Sequence, residues 1–466
     1  MSVQTEKDRC REPNPTVEYS DSQLAPVWDY HSVLEVAVIA DDLTGAADTG
    51  VQFCPYFTNT VLVSYRDLLP DSFGLSPQVL SVYTNSRSMN AELARDRVGH
   101  VAGQLSALQP RHMYKKVDSC LRGNLGAEVD AILDEVGFEC SFIAPAFPDM
   151  GRTTIHDMHL VDGIPVSQTE LSRDPVTPVT ESRLSRIVAA QSRYKVGHVD
   201  VSVLNSQDEV LSREIDRRVQ SGSRHLAFDA ANNADLDRIA RIATASPKKV
   251  LLVGSAGLAE SLGRLFPKRP LKVKEEMTVY PRGHHLLVCG TTSERTRLQV
   301  LTLLETYAYE VISLWPGLLA DPTRRDALRL KAHFVHRVLS EKDAVVRIDE
   351  PEPEDADKRD DSSSRTAEQI VNGLGLFVAS VLEQTKPASL FLSGGDTADA
   401  VLKAIGAKGI RLLKEIVPGM VQGMIVGGLM DGLSVITKAG AFGKKDALVV
   451  LHEYWRSNTR ESPNDL

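Results

Sequence analysis

From Glu35 onward the chain alternates short, wholly apolar runs with longer stretches in which apolar residues recur every three or four positions. Such alternation marks parallel α/β units, whose strands are buried on both faces and whose helices are covered on one. Strands are predicted over residues 36–40, 79–84, 113–117, 141–144, 226–229 and 250–253. Amphipathic helices are predicted over 91–108 and 126–136, and an irregular excursion over 147–180. Periodicity breaks at Phe266-Pro267-Lys268-Arg269-Pro270 and restarts at 285–289, with further strands at 345–348, 390–392, 424–426, 434–436 and 448–451. The expected fold class is α/β: two doubly wound, mostly parallel-sheet domains with an active-site cleft between them. Residues 1–32 read as a disordered leader, 33–265 as the first domain, 266–283 as a linker and 284–466 as the second domain. Within the second, the acidic, Pro-containing stretch at 349–366 reads as a solvated surface loop.

Composition narrows the function. At 466 residues with 42% hydrophobic content, the chain can bury two ordinary cores. Its net charge of -9 argues against a nucleic-acid partner, because a polyanion demands a basic face in excess. An anionic substrate must therefore meet a local cluster of Lys and Arg. Cys10, Cys54, Cys120, Cys140 and Cys289 are scattered and form no C-x-x-C pair, which predicts reduced thiols and no zinc site. The first residues, MSVQTEKDRCREPNPTVEYSDSQ, carry neither an apolar signal core nor an Arg-rich amphipathic pattern, and no run approaches a membrane span. A cytoplasmic protein without a membrane partner is expected.

Candidate chemistry sits where strands end. Asp41 and Asp42 close the first apolar run, ahead of Leu43-Thr44-Gly45-Ala46. Helix capping needs one short polar residue, so two adjacent acids beside a glycine point to more than a cap. Lys115-Lys116-Val117-Asp118-Ser119-Cys120-Leu121-Arg122-Gly123-Asn124 is the densest cluster. There Arg122 offers a fork for a carboxylate and Asp118 an acceptor for hydroxyls. Thr84-Asn85-Ser86-Arg87 brings one more guanidinium to the same sheet edge, and Pro145 to Thr154 forms a rigid loop holding Arg152. His156 and His159 stand nearby and are assigned no metal role.

In the second half, three Gly- and hydroxyl-rich turns each follow a strand. They are Cys289-Gly290-Thr291-Thr292-Ser293, Ser393-Gly394-Gly395-Asp396-Thr397 and Thr437-Lys438-Ala439-Gly440-Ala441-Phe442-Gly443. Neither G-x-x-x-x-G-K-[ST] nor G-x-G-x-x-G occurs, which argues against a P-loop protein and a dinucleotide-dependent dehydrogenase. Glycines that bring backbone amides to a helix start suit phosphate. Phosphoryl transfer across a cleft is one natural reading.

Together, ADDLTGA at 40–46, TNSR at 84–87, KKVDSCLRGN at 115–124, PAFPDMGRTT at 145–154, SGGDTA at 393–398 and KAGAFG at 438–443 resemble the four-carbon acid sugar kinase family, the DUF1537 group. The resemblance spans about residues 36–450. It implies a first domain that binds an acid such as threonate, erythronate or a 3-oxo-tetronate, a second that binds ATP, and a 4-phosphate product. By position it implies substrate contacts at Asp42, Arg87, Asp118, Ser119, Cys120, Leu121 and Arg122, and ATP contacts at Thr291, Ser293, Gly394, Gly395, Asp396, Thr397 and Gly440. Asp42 or Asp118 would orient or deprotonate the hydroxyl, Arg87 and Arg122 would clamp the carboxylate, and Mg2+ would accompany ATP; the metal's ligands stay open. Cys120 stands where threonine is usual in the family, Thr291 for a serine, and Ala439 and Ala441 where Ser and Gly are frequent. A non-catalytic sensor of acid sugar or nucleotide is the alternative, and a homodimer is left open.

Overall fold

A computed structural model describes residues 33–68, 76–174, 176–268, 280, 282–291, 293–348 and 363–459. The expected leader at 1–32, most of the expected linker and the acidic stretch at 349–362 lie outside these.

The first half contributes β1 (Val36–Ala40), β2 (Thr60–Ser64), β3 (Val79–Tyr83), β4 (His112–Lys116), β5 (Cys140–Ala144), β6 (Arg152–Ile155), β7 (Met158–Val161), β8 (Ile164–Pro165), β9 (Lys195–Val199), β10 (Ser223–Phe228) and β11 (Val250–Gly254). The second contributes β12 (His285–Cys289), β13 (Glu310–Leu314), β14 (Ala344–Ile348), β15 (Ser389–Ser393), β16 (Gly409–Val417), β17 (Met420–Val426) and β18 (Ser434–Lys438). Fifteen of them form a single sheet in the order β13-β14-β12-β15-β18-β17-β16-β2-β3-β1-β4-β11-β5-β10-β9. Pairing is parallel except along β18-β17-β16-β2. The doubly wound, mostly parallel class holds in each half, and the ladder runs unbroken from one to the other. At the seam Ile410, Arg411 and Leu412 of β16 pair antiparallel with Leu62, Val61 and Thr60 of β2.

A shared core accompanies the shared sheet. Helix Leu43–Gly50 is buried at every position but Asp48, and Leu43, Ala46 and Ala47 pack in one cluster with Leu392, Ala398, Ile410 and Leu412 of the second half. Small residues let it fit. A Cβ on Gly50 would lie 2.6 Å from Leu412 Cδ1, and Ser81 donates a 2.8 Å hydrogen bond to the Ala46 carbonyl.

Several expectations need correction. Residues 448–451 are not a strand but part of helix Ala447–Ser457, which buries Leu448, Leu451 and Trp455 on one face. The expected loop at 349–366 is already helical from Ser363. The excursion at 147–180 folds into the antiparallel sheet β6-β7-β8. Cys54, Cys120, Cys140 and Cys289 are buried thiols, and no helix among the described residues is long and apolar enough to cross a membrane.

Candidate active site

β1 has β3 on one side and β4 on the other, so the strand order reverses at its carboxyl end, where open α/β sheets bind ligands. Asp42 caps the helix that follows: Oδ1 accepts from the Gly45 amide at 2.9 Å and Oδ2 from the Thr44 hydroxyl at 2.8 Å. It also receives Arg87, whose Nη2 lies 2.7 Å from Asp42 Oδ1. The same guanidinium closes a fork on Asp41, with Nε 2.6 Å from Oδ2 and Nη2 2.9 Å from Oδ1. Burial opposes charge on Asp41, and the Arg87 guanidinium outweighs it and holds the carboxyl below its usual range. Arg87 is thus spent on two carboxylates.

Pleating separates the lysines at the end of β4. Lys115 is buried on one face, 2.6 Å from Glu128 Oε2, while Glu128 Oε1 accepts from the Ser86 hydroxyl at 2.6 Å. Lys116 turns to the other face, beside Asp42 and Gly45. Beyond it, Arg122 Nε and Nη2 lie 2.7 and 3.2 Å from the two oxygens of Asp118, and Nη1 lies 3.6 Å from Asp174. Burial disfavours the Asp118 charge, but Arg122 and Arg87 hold its carboxyl far below the usual range. The turn between them needs a left-handed residue, and Leu121 supplies it at φ 65° with its side chain in the core. Any contact it makes with a ligand is through its backbone. His159 Nε2 donates to the Ser119 carbonyl at 2.8 Å and Nδ1 accepts from Thr154 at 3.0 Å. Burial pushes that imidazole down to about 4, so it is a neutral prop for the turn. His156 is exposed and pairs with Asp200 at 2.7 Å. Asp229, beside that pair, already accepts from His198 and from the amides of His156, Asp157 and Val201.

In the second half the strand order reverses at β12, between β14 and β15. The three turns converge there. Gly394 at φ 103° starts helix Gly395–Ala404 without a side-chain cap, leaving its first amides open to an anion. A Cβ on Gly440 would lie 2.5 Å from Thr291 Oγ1, one on Gly290 2.4 Å from Thr397 Oγ1, and one on Gly394 3.4 Å from Thr291 Cβ. The Ser293 amide donates to Thr291 Oγ1 at 3.2 Å, and Ser293 starts helix Glu294–Thr306 without capping it through its side chain. Under the third turn lies Lys438, buried, its Nζ donating to the carbonyls of Ala439, Phe442 and Gly440 at 2.9, 3.2 and 3.4 Å. Burial pushes its amine down to about 8.

The two sets of turns face each other. A Cβ on Gly395 would meet Asp42 Oδ2 at 3.4 Å and Thr44 Oγ1 at 3.6 Å. Tyr83 and Asn85 each donate to Asp399 of the opposite helix, at 2.7 and 2.8 Å, and the Arg152 guanidinium lies 5.6 Å over the Phe442 ring. Between the halves lies a cavity of about 30 Å3, lined by Asp42, Arg87, Asp118, Ser119 and Arg122 from one side and by Gly419, Ala439 and Phe442 from the other. Cys120 and Leu121 are buried, and neither they nor Thr291, Gly394 and Gly440 are among the residues that line it. Sequence reasoning missed Asp48 and Lys116, which also line the cavity, and Lys438 beneath the third turn. Adjacent lysines at a strand end were the available signal.

Residues 36–262 match the family model of a sugar-binding N-terminal domain, and residues 286–448 that of a nucleotide-binding C-terminal domain. A D-threonate kinase of Salmonella typhimurium is 33% identical over 435 residues, covering 91% of this chain and 99% of that protein. The chain belongs to the four-carbon acid sugar kinase family. A second such kinase, the D-erythronate kinase of Heliobacterium modesticaldum, is 31% identical, covering 90% of this chain and 96% of that protein. Solved structures from Salmonella typhimurium (TM-score 0.74, 20% identity, 90% of this chain and 98% of that one) and Haemophilus influenzae (TM-score 0.66, 23% identity, 90% and 100%) share the fold. In family terms the sugar-binding half carries the carboxylates and arginines, and the nucleotide-binding half the three turns. Relatives that are kinases favour catalysis over the sensor alternative.

Proposed function

We propose that this protein transfers the γ-phosphoryl group of ATP to the terminal, 4-hydroxyl of a four-carbon acid sugar. The observation that carries this reading is the approach of Gly395 to Asp42, which sets a helix start lacking a side-chain cap against a carboxylate. Phosphoryl transfer passes through a loose transition state that asks for positioning and charge neutralisation more than covalent help. The hydroxyl oxygen bonds to the γ-phosphorus, the bond to the bridging oxygen breaks, and the hydroxyl proton passes to Asp42, leaving ADP and the 4-phosphate. Each carboxylate is held by an arginine, Asp42 by Arg87 and Asp118 by Arg122, and Asp42 is favoured as the base because it stands where the two halves meet. The Asp118 to Arg122 turn then receives the acid.

Mg2+ fits the donor set, since Asp396 in the first turn of helix Gly395–Ala404 offers hard carboxylate oxygens and the phosphates would complete its shell. When bound, it neutralises charge on the transferring group. The two halves close on this cavity from opposite sides, so they are expected to part to admit substrate and to close again to exclude solvent. The identities of 33% and 31% to D-threonate and D-erythronate kinases, against 26% to a 3-oxo-tetronate kinase of Brucella melitensis, make the first two acids the leading candidates. A cytoplasmic setting supplies both ATP and Mg2+. The test is ADP release with Mg-ATP against D- and L-threonate, D- and L-erythronate and their 3-oxo derivatives. Turnover of one acid is expected, and silence across the panel in protein that binds ATP would overturn the reading.

A further inference from the structure

Among the described residues, every cation at the cavity wall has an assignable partner except one. Arg87 is forked on Asp41 and reaches Asp42, and Arg122 is forked on Asp118 and lies near Asp174. Lys115 faces away into its pair with Glu128. Lys116 is only 4% exposed, yet among the described residues its ammonium makes no hydrogen bond and no ion pair. A nearly buried charge left without a partner is costly unless something arrives to pair with it.

Its placement is rigid. Lys116 is the register partner of Ala40, one residue before Asp41, so two adjacent central strands fix its backbone. A Cβ on Gly45 would lie 2.8 Å from Lys116 Nζ and 2.5 Å from Asp42 Oδ1, which puts ammonium and carboxylate together over the same glycine. Across the gap stands Gly395, within reach of Asp42 Oδ2. The Lys116 charge is felt by the carboxyls of Asp41, Asp48 and Asp118 without being bonded to any of them.

We propose that Lys116 is a catalytic residue that receives the γ-phosphoryl group as it crosses from ATP to the acid, an inference that rests on the kinase reading above. An incoming phosphoryl group enters a wall already carrying Asp42 and Asp118, whose arginines are engaged, so among the wall's own side chains the charge that builds on its oxygens falls to Lys116. The covalent balance is unchanged: Lys116 keeps its protons, the hydroxyl proton goes to Asp42, and ADP departs with the bridging oxygen. The acid is held at the Asp118 to Arg122 turn of the same cavity, so loss of the Lys116 charge is expected mainly in kcat and only weakly in ground-state affinity for the acid.

The test pairs Lys116→Met with Lys116→Arg. Calorimetric titration with ADP and with the non-hydrolysable β,γ-imido analogue of ATP, both with Mg2+, reads the γ-phosphate contact without any acid present. Wild type is expected to prefer the analogue, and Lys116→Met to lose about tenfold in analogue affinity while ADP affinity stays within about twofold. In turnover, kcat is expected to fall by about 10²- to 10³-fold with the acid KM within about threefold. Lys116→Arg keeps the charge and should recover part of both losses; if the Met variant does not fold, the Arg variant alone must show the kcat loss with analogue preference retained. An unchanged preference for the analogue, or a loss confined to the acid KM, overturns the proposal. Wild-type protein that binds the analogue but phosphorylates none of the acids overturns the substrate reading, and Lys116 is then judged on the titrations alone.

Discussion

Gly395 in the nucleotide-binding half lies against Asp42 in the sugar-binding half, so close that a methyl group on the glycine would touch Asp42 Oδ2 at 3.4 Å. On the kinase reading, this sets the proposed base against a helix start that has no side-chain cap. Asp42→Asn is expected to lower kcat by about 10²- to 10⁴-fold with both KM values nearly unchanged. Asp118→Asn should instead raise the acid KM. Steady-state kinetics of the two variants check the assignment, and the reverse pattern would exchange their roles.

Arg122→Ala is expected to raise the acid KM far more than the ATP KM, because the fork on Asp118 shapes the turn proposed to receive the acid. Equal effects on both would remove that role.

Arg87→Ala leaves Asp41, 3% exposed, as an uncompensated buried charge. The expected loss is about 3–5 kcal/mol of folding stability, measured by urea unfolding. Arg87→Lys keeps a charge but not the fork, and is expected to fall between the two.

Gly440→Ala drives a Cβ to 2.5 Å from Thr291 Oγ1 and 3.1 Å from its Cβ. Relief of about 1–3 kcal/mol of overpacking must come from moving one turn off the other, read as about tenfold or more in the ATP KM. The added change Thr291→Ala removes the hydroxyl and should restore part of the affinity.

Burial, followed by the charge of Glu415, pushes the Asp48 carboxyl up to about 7, and its buried Oδ1 has no hydrogen-bond partner. Unfolded, the same group titrates near about 4. Between those values the folded protein keeps a proton the unfolded chain has lost, so this stabilisation is full at acid pH and is lost as pH rises through about 7. Asp48→Asn should therefore raise Tm at pH 8 and change it little near pH 4. A constant offset across that range would contradict the assignment.

Legibility followed the range over which a signal acts. The Asp41-Asp42 turn, the Asp118 to Arg122 turn and the three Gly-rich turns were readable because strand, turn and helix start are contiguous. Helix Ala447–Ser457 was misread because its aliphatic run Leu448 to Leu451 resembles a buried strand, and only the spacing to Trp455 reveals a helical face. β2, β9, β13 and β16 lie outside the predicted strands, and β16 pairs antiparallel with both of its neighbours rather than in the parallel pattern of the rest. No local pattern could show that Arg87 would be spent on Asp41 and Asp42, nearly fifty positions earlier, or that Lys116 rather than Lys115 would face the cavity. Those outcomes depend on which strands become neighbours.

The antiparallel seam between β2 and β16 has an evolutionary consequence. A chain cut between its two family domains would leave each product with a bare strand edge and would uncover helix Leu43–Gly50, an invitation to aggregate. Recombination between relatives faces the same barrier, because exchanging one half requires Thr60, Val61 and Leu62 to match a new Ile410, Arg411 and Leu412. Exchange of one half is therefore expected to cost solubility before it alters either specificity.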